Sequence, residues 1–205
     1  MLTAANLACT RGERRLFAGL NFAIEAGGWI HVTGENGSGK TSLLRILCGL
    51  SQPEAGEIRW NGAPIRELDD EYRKILLYLG HQTPVKEELT ARENLQISGA
   101  LAGTVLDEAD ADAALEQVGL GGRERLPVRF LSQGQKRRVA LARLLTSPAP
   151  LWILDEPFVA LDAAALEMLA AIIAGHLAGG GIAVLTSHQE VTIEAAARLT
   201  LRIAA

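Results

Sequence analysis

The feature that most constrains the fold is a glycine-rich segment, residues 34–41, with the sequence GENGSGKT. It follows a largely apolar strand pattern at residues 29–33 and precedes a helical pattern at residues 42–47. A loop of this kind turns successive backbone N–H groups toward a phosphate, and the following helix dipole adds positive potential. The segment therefore predicts an α/β core with a phosphate-binding loop. An ordinary glycine-rich loop with a solvated lysine is the alternative, and the flanking strand and helix disfavour it.

We expect both side chains and backbone groups of this loop to bind a nucleotide. Lys40 is expected to neutralise the β- and γ-phosphates, and Thr41 is expected to offer its hydroxyl to Mg²⁺. The residues expected to bind the nucleotide are Gly34, Asn36, Gly37, Ser38, Gly39, Lys40 and Thr41.

Composition disfavours several other classes of protein. The chain has 205 residues, of which 48% are hydrophobic and 21% charged, so it can bury one sizeable core. A formal charge of −4 provides no positive field for a phosphate backbone, which disfavours a nucleic-acid-binding protein. Cys9 and Cys48 lie in unlike segments and indicate neither a disulfide framework nor a metal site. The cysteine usage indicates a reducing compartment. The N-terminus lacks a signal pattern, and the most apolar window, residues 168–185, is interrupted by His176 and by glycines at 179–181, so it predicts a buried helix followed by a buried strand. We therefore expect a soluble protein.

The hydrophobic pattern predicts strands of two kinds. Residues 2–9 and 16–24 have the pattern of short antiparallel strands, and Asn61-Gly62 favours a tight hairpin turn. The all-apolar runs 151–154 and 182–185 are typical of parallel strands that are covered on both faces. We therefore expect a small antiparallel layer together with a parallel α/β sheet.

A helical stretch lies between the two portions of this core. Residues 90–93 form a capping-box pattern that opens one helix, and residues 107–118 predict another. We expect a single domain, with the core and β lobe at about residues 1–84 and 148–205 and an inserted helical lobe at about residues 85–147.

Two acidic residues, Asp155 and Glu156, follow the apolar run 151–154. Open α/β sheets bind ligands at the carboxyl ends of their strands, and successive strand residues point to different sides. We therefore expect Asp155 to hold Mg²⁺, commonly through water, and Glu156 to polarise the attacking water as general base. The alternative is a pair that caps the next helix, which the phosphate loop in the same chain makes less favoured.

A third segment combines a helix start with a run of cations. Ser132 and Gln135 have capping-box spacing, so Ser132 is expected to open a helix. The Lys-Arg-Arg run at residues 136–138 then lies in the first turn, where positive charge opposes the helix dipole. An external anion would relieve this mismatch, and a basic face turned to solvent explains the run equally well.

Polar residues after two strands are weak candidates when each is taken alone. His188 follows the run 182–185, and Gln82 follows the apolar residues 76–79. A lone histidine or glutamine in such a place is more often a structural polar residue. The other candidates form no metal-binding spacing, and we interpret them as structural; they are His31, His81, His176 and Cys48.

The order of these motifs resembles that of ATP-binding cassette (ABC) ATPases over the whole chain. The segments that carry the resemblance are residues 34–41, Gln82, residues 131–135, residues 151–156, Leu161-Asp162 and His188. It implies an α/β fold with a P-loop NTPase core of the ABC ATPase type, an antiparallel β lobe and an inserted helical lobe.

The resemblance also implies an ATPase that works as a head-to-tail homodimer. Each ATP would lie between the phosphate loop of one subunit and a set of residues of the other, namely Ser132, Gly134 and Gln135. It implies catalytic roles for Glu156, His188 and Gln82. The residues implied for Mg²⁺ are Thr41, Gln82 and Asp155.

Within this family, four segments are similar to the ATP-binding subunits of haem exporters in cytochrome c maturation: residues 78–82, 85–95, 137–144 and 150–162. That similarity implies a bacterial ATPase, peripheral at the cytoplasmic face of the inner membrane, which powers haem export or release of a haem-loaded chaperone. Its expected partners are integral membrane permease subunits, a CcmB-like protein first and a CcmC-like protein second. Membrane contact is expected only through these partners, and no nucleic acid is expected to bind.

Other functions share part of this pattern. The ATPase subunit of an ABC transporter for another substrate would have the same catalytic residues. A non-transport ABC protein of DNA repair or the ribosome is disfavoured, because no long insertion separates Lys40 from Ser132. Glu156 argues against a scaffold without turnover. The chain departs from the family pattern at Gln133, at Val159 and in residues 11–16, which lack the tyrosine that often stacks on adenine.

Overall fold

The computed structural model describes residues 1–81, 84–189 and 191–203 of the chain. The strands are β1 (Leu2–Arg11), β2 (Arg14–Ile24), β3 (Gly28–Thr33), β4 (Ala55–Trp60), β5 (Ala63–Pro64), β6 (Leu76–Leu79), β7 (Leu151–Leu154), β8 (Ile182–Thr186) and β9 (Ala197–Arg202). The helices are α1 (Lys40–Leu47), α2 (Ile65–Leu68), α3 (Asp70–Lys74), α4 (Ala91–Leu101), α5 (Glu108–Gln117), α6 (Gln133–Thr146) and α7 (Ala163–Ala178), with a 3₁₀ turn at Val128–Phe130.

The chain divides into two compact units. The first comprises Met1–Tyr78, Ala149–Pro157 and Ile173–Ala205, and the second comprises Leu79–Pro148 and Phe158–Ile172. The first unit contains the phosphate-loop segment, and the second contains α4, α5 and α6.

One sheet of the first unit is antiparallel, with the strand order β2-β1-β4-β5. β1 pairs with β2 on one side and with β4 on the other, so Leu2 lies opposite both Ile24 and Trp60. Asn61 and Gly62 connect β4 to β5 with φ angles of 49° and 87°. The hairpin turn predicted at this dipeptide is confirmed, because both residues have the positive φ that such a turn requires.

The second sheet has the order β6-β7-β8-β3-β9, and β7, β8, β3 and β9 pair in parallel. Every residue of β7 and β8 is buried, as their all-apolar runs predicted. Parallel order brings the carboxyl ends of β3, β7 and β8 to the same edge of the sheet. The α/β fold class expected from the sequence is confirmed.

Helix α1 closes over this sheet with an apolar face. Leu43, Leu44 and Leu47 are fully buried and share one core cluster with Ile153 and Val184 of the sheet. Burial of side chains of this size stabilises the fold by about 1.5–3 kcal/mol each. The helix that begins at Lys40 is thereby held firmly at the edge where the phosphate loop lies.

The second unit is built on α4, α5 and α6, whose starts follow local sequence rules. Thr90 caps α4 through a complete capping box with Glu93, and Asp107 caps α5. The apolar faces of these helices form a separate core cluster, which Met168 and Ile172 of α7 also contact. The predicted helix starts at Thr90 and Asp107 are confirmed.

The most apolar window of the chain, residues 168–185, consists of the second part of α7 followed by β8. The buried strand predicted there is confirmed, because every residue of β8 is buried. The predicted buried helix is only half correct: Leu169, Ile173 and Leu177 of α7 are buried on one face, whereas Ala171, Gly175 and Ala178 are exposed. Within the described parts of the chain, no helix combines the length and the apolar character needed to cross a membrane.

Candidate nucleotide-binding site

The phosphate-loop segment connects β3 to α1 in a conformation that requires glycine. Gly39 is the N-cap of α1 with a φ of 111°, and a Cβ atom there would lie 3.0 Å from Cβ of Leu16 on β2. Gly34 has a φ of 152°, and a Cβ atom there would lie 2.5 Å from the carbonyl oxygen of Ile203. A side chain at either position would displace the backbone around the loop.

Lys40 is buried at the first position of α1, with its ammonium group turned back into the loop. Its Nζ donates hydrogen bonds to the carbonyl oxygens of Gly34 at 2.8 Å and Glu35 at 3.2 Å. The loop thus holds a positive charge at its centre, supported by carbonyl oxygens that the protein itself provides.

Two further observations show that the loop fits a phosphate group. The Ser38 hydroxyl is buried and, within the described residues, has no hydrogen-bond partner, which costs free energy unless a ligand contacts it. At the tip, Asn36 and Gly37 are exposed, and a Cβ atom at Gly37 would meet nothing within 4 Å. The loop is therefore open to a ligand at its tip and has a free polar group in its interior.

Asp155 lies one residue beyond the end of β7 and is buried. Thr41 Oγ1 donates a hydrogen bond to Asp155 Oδ2 at 2.9 Å, and Thr186 Oγ1 donates one to Asp155 Oδ1 at 2.8 Å. A hydroxyl and a carboxylate, joined at the first turn of α1, form the oxygen donor set that Mg²⁺ prefers. The structure therefore brings together two of the three residues expected to serve Mg²⁺.

Glu156 occupies a turn just after β7. Its φ of 51° lies in the left-handed region, which is uncommon for a residue with a side chain. Its largely buried carboxylate has Oε1 at 3.3 Å from Nε2 of the exposed His188. The side chains of Asp155 and Glu156 contact different groups, Thr41 and His188 respectively. The expected cause, alternation along a strand, is wrong, because β7 ends at Leu154 and the left-handed turn at Glu156 separates the two side chains.

The predicted helix start at Ser132 is confirmed. Ser132 and Gln135 form a complete capping box at α6: Gln135 N donates to Ser132 Oγ at 3.3 Å, and Ser132 N donates to Gln135 Oε1 at 2.9 Å. Ser132 is exposed, and a Cβ atom at Gly134 would meet nothing within 4 Å. These residues belong to the second unit, whereas the phosphate loop belongs to the first.

The expected explanation of the cation run after Ser132 is wrong for two of its residues. Lys136 is buried, with Nζ at 2.6 Å from a carboxylate oxygen of Glu87, and Arg138 contacts both carboxylate oxygens of Asp162 at 2.9 and 3.2 Å. Carboxylates of the same chain therefore offset these charges. Neither an external anion nor a solvated basic face is needed to explain Lys136 and Arg138.

Two of the four residues interpreted as structural, His176 and Cys48, have surroundings that agree with this interpretation. The imidazole of His176 stacks on Trp152, with ring centroids 3.7 Å apart. Burial raises the pKa of the Cys48 thiol to about 12, so the reactive thiolate is not formed at neutral pH. The candidate Gln82 lies outside the described residues.

Sequence reasoning missed one residue of the site, Thr186. Its signal was available, since it is the only hydroxyl residue in the otherwise apolar strand β8 and lies two positions before His188. That signal is weak, because threonine is common in strands for reasons of shape alone.

Several known proteins are similar to this chain in sequence. A family model described as ABC transporter matches residues 17–159. The cytochrome c biogenesis ATP-binding export protein CcmA of Dechloromonas aromatica (strain RCB) is 60% identical over 203 residues, covering 99% of this chain and 100% of the relative. The protein of the same name from Nitrosomonas europaea is 58% identical over 193 residues, covering 94% of this chain and 91% of the relative.

Solved structures with the same fold include two that bear on the site. A dimeric structure of a post-hydrolysis state of the ATP-binding cassette MJ0796, bound to ADP and Pi, has a TM-score of 0.79 at 26% identity and covers 92% of this chain and 88% of its own. The structure of an ATP-binding subunit of an ABC transporter has a TM-score of 0.79 at 28% identity and covers 91% of this chain and 79% of its own.

Proposed function

Since the chain belongs to the ABC transporter family and is the ATP-hydrolysing subunit of such a transporter, we propose that it serves cytochrome c biogenesis, where it powers haem export or the release of a haem-loaded chaperone. The observation that carries this proposal is the similarity, over nearly the entire chain, to proteins named for ATP-binding export in cytochrome c biogenesis. The transported group itself would bind to partner chains.

The phosphate loop is the part of the site that would bind ATP. Backbone N–H groups at the start of α1 and the Lys40 ammonium would contact the phosphates, and Ser38 would gain the partner that it lacks within the described residues. Binding would move the Lys40 ammonium from the carbonyl oxygens of Gly34 and Glu35 toward the phosphates.

Thr41 and Asp155 are the residues that would hold Mg²⁺, with Gln82 added by the family resemblance. The hydrogen bond from Thr41 to Asp155 keeps the hydroxyl and the carboxylate together at the first turn of α1. When bound, Mg²⁺ neutralises charge on the β- and γ-phosphates.

Glu156 would act as general base in hydrolysis. Its carboxylate would take a proton from water while the resulting hydroxide bonds to the γ-phosphorus. The bond between that phosphorus and the β–γ bridging oxygen breaks, which leaves ADP and inorganic phosphate. His188, next to Glu156 and half exposed, would orient the carboxylate and contact the γ-phosphate.

A homodimer would complete each site. The exposed helix start at Ser132, with Gly134 and Gln135, presents backbone N–H groups and a small residue that another subunit's nucleotide could approach closely. The dimeric form of the related cassette MJ0796 supports this arrangement.

The proposed location is the cytoplasmic face of the bacterial inner membrane, where ATP is available. There the subunit would bind integral membrane permease subunits, CcmB-like and also CcmC-like. In this arrangement its contact with the membrane passes through those partners.

Deletion of the gene tests the proposal, with periplasmic c-type cytochromes measured by haem staining. We expect loss of these cytochromes, restored by the parent gene and not by Glu156→Gln. Affinity purification of the parent protein from membranes should recover a permease subunit. Normal cytochrome levels in the deletion strain would contradict the proposed role while leaving the ATPase activity itself in place.

A further inference from the structure

Thr186 is the last residue of β8, and its hydroxyl is completely buried at the edge of the sheet where the candidate site lies. A buried hydroxyl is costly unless its hydrogen-bonding capacity is used. Here both capacities are used: Oγ1 donates to Asp155 Oδ1 at 2.8 Å and accepts from the backbone N–H of Glu156 at 2.8 Å. One side chain therefore contacts two consecutive acidic residues.

The strand register explains why Thr186 can reach both. β7 and β8 are parallel, with Leu154 opposite Leu185, so Asp155 and Thr186 are the next residues along the two strands. Thr41 already occupies the other carboxylate oxygen of Asp155. The two threonines thus hold the carboxylate of Asp155 from both sides and leave it little rotational freedom.

The contact with Glu156 acts on the backbone. Glu156 has a left-handed φ of 51°, which L-residues with a side chain adopt only when their surroundings impose it. The acceptor for its N–H is the Thr186 hydroxyl oxygen. This hydrogen bond fixes the peptide from which the Glu156 carboxylate projects toward His188.

We propose that Thr186 is a positioning residue for ATP hydrolysis, which sets the orientation of Asp155 and the backbone of Glu156 with a single hydroxyl. The inference rests on the proposed general-base role of Glu156. Threonine and serine are suited to it because one hydroxyl donates and accepts at the same time, whereas valine has the same shape and can do neither.

Substitutions of Thr186 separate this role from simple packing. Thr186→Val should lower kcat by about 10- to 100-fold and leave the equilibrium affinity for ATP within about threefold, because the phosphate loop is untouched. Thr186→Ser should retain kcat within about threefold of the parent, since it keeps the hydroxyl. Thr200→Val, the same change at an exposed position of β9, is the matched control and should remain within about twofold.

Equal kcat for Thr186→Val and the parent would overturn the inference, and so would Thr186→Ser as slow as Thr186→Val. Glu156→Gln is measured in parallel: normal turnover in that variant would instead overturn the proposed role of Glu156. If Thr186→Val does not fold, amide hydrogen exchange by NMR in the parent decides. The Glu156 N–H should then exchange more than about 100-fold more slowly than an unprotected amide, and fast exchange would overturn the inference.

Discussion

At the scale of single residues, the candidate site depends on a few groups whose charge and direction are set by immediate neighbours. Lys40 is held by carbonyl oxygens of its own loop, and Asp155 by hydroxyls on both sides. Glu156 differs from both, because its backbone conformation is unfavourable and its carboxylate contacts His188. Changes at Lys40 and at Glu156 should therefore have different kinetic effects.

Glu156→Gln should reduce ATP turnover by about 10²–10⁴-fold while ATP binding is retained, because only the group that accepts the proton from water is lost. Lys40→Ala should instead weaken ATP binding, since the loop loses its positive charge. Steady-state hydrolysis and nucleotide titration of both variants provide the test. Turnover of Glu156→Gln within threefold of the parent would contradict the assignment.

His176 predicts a pH dependence of stability. Burial lowers the pKa of this imidazole from its ordinary value, so the folded state binds the proton less readily than the unfolded state does. The contribution of neutral His176 to the free energy of unfolding is therefore present above the unfolded pKa of about 6.5 and is lost as the pH falls below it. In urea unfolding at pH 7.5 and 5.5, the parent should lose more stability on acidification than His176→Phe, which keeps an aromatic ring on Trp152. Equal losses would contradict this.

At the scale of elements, buried polar contacts hold the segment that leads into α4. Asn94 is buried on α4, accepts a hydrogen bond from the backbone N–H of Lys86 at 2.7 Å and donates to the carbonyl oxygens of Lys86 and Thr90, both at 2.9 Å. The Asn94 side chain thus provides backbone hydrogen bonds to residues 86–90 that a helix or strand would otherwise provide. The exposed charges of that segment are thereby presented on a fixed backbone.

Asn94→Ala should lower the free energy of unfolding by about 1–3 kcal/mol, because the backbone N–H of Lys86 loses its acceptor and the carbonyl oxygens of Lys86 and Thr90 each lose a donor. Chemical denaturation measures the loss. Gln96→Ala is the matched control on the same helix, since among the described residues Gln96 makes one, longer side-chain hydrogen bond, to the carbonyl oxygen of Leu106 at 3.2 Å. A loss no greater than that of the control would contradict the structural role of Asn94.

At the scale of the whole molecule, the proposed site needs two copies of the chain. Ser132→Arg should block the helix start of α6, and Lys40→Ala should disable the phosphate loop. Each variant alone should be inactive. A mixture should recover part of the parent activity. In a heterodimer, the phosphate loop of the Ser132→Arg subunit and the helix start of the Lys40→Ala subunit are both intact and together would form one complete site.

Hydrolysis by the mixture measures this recovery, and sedimentation of Glu156→Gln with ATP provides an independent measure of the dimer. No recovery, together with a monomer in the presence of ATP, would contradict the two-copy site. Recovery without a detectable stable dimer would indicate that the dimer forms only transiently and would still agree with a shared site.

The sequence alone was sufficient for features that depend on neighbours along the chain. The glycine-rich loop, the capping boxes at Thr90 and Ser132 and the turn at Asn61-Gly62 are each encoded within a few residues. The apolar runs of β7 and β8 likewise predicted buried parallel strands, since a strand covered on both faces has no polar side to display. Local conformation and the periodicity of buried residues can therefore be predicted from the sequence alone.

Only the tertiary structure decided the contacts between distant segments. Lys136 with Glu87 and Arg138 with Asp162 replaced the external anion that the helix dipole favoured, because the fold brings carboxylates from elsewhere in the chain to these cations. Thr186 became part of the site for the same reason: strand register places its hydroxyl beside Asp155 and Glu156, which lie 31 and 30 positions away. Charge pairing and hydrogen bonding act over a few ångströms in space, and the distance along the sequence does not reveal which groups will come that close.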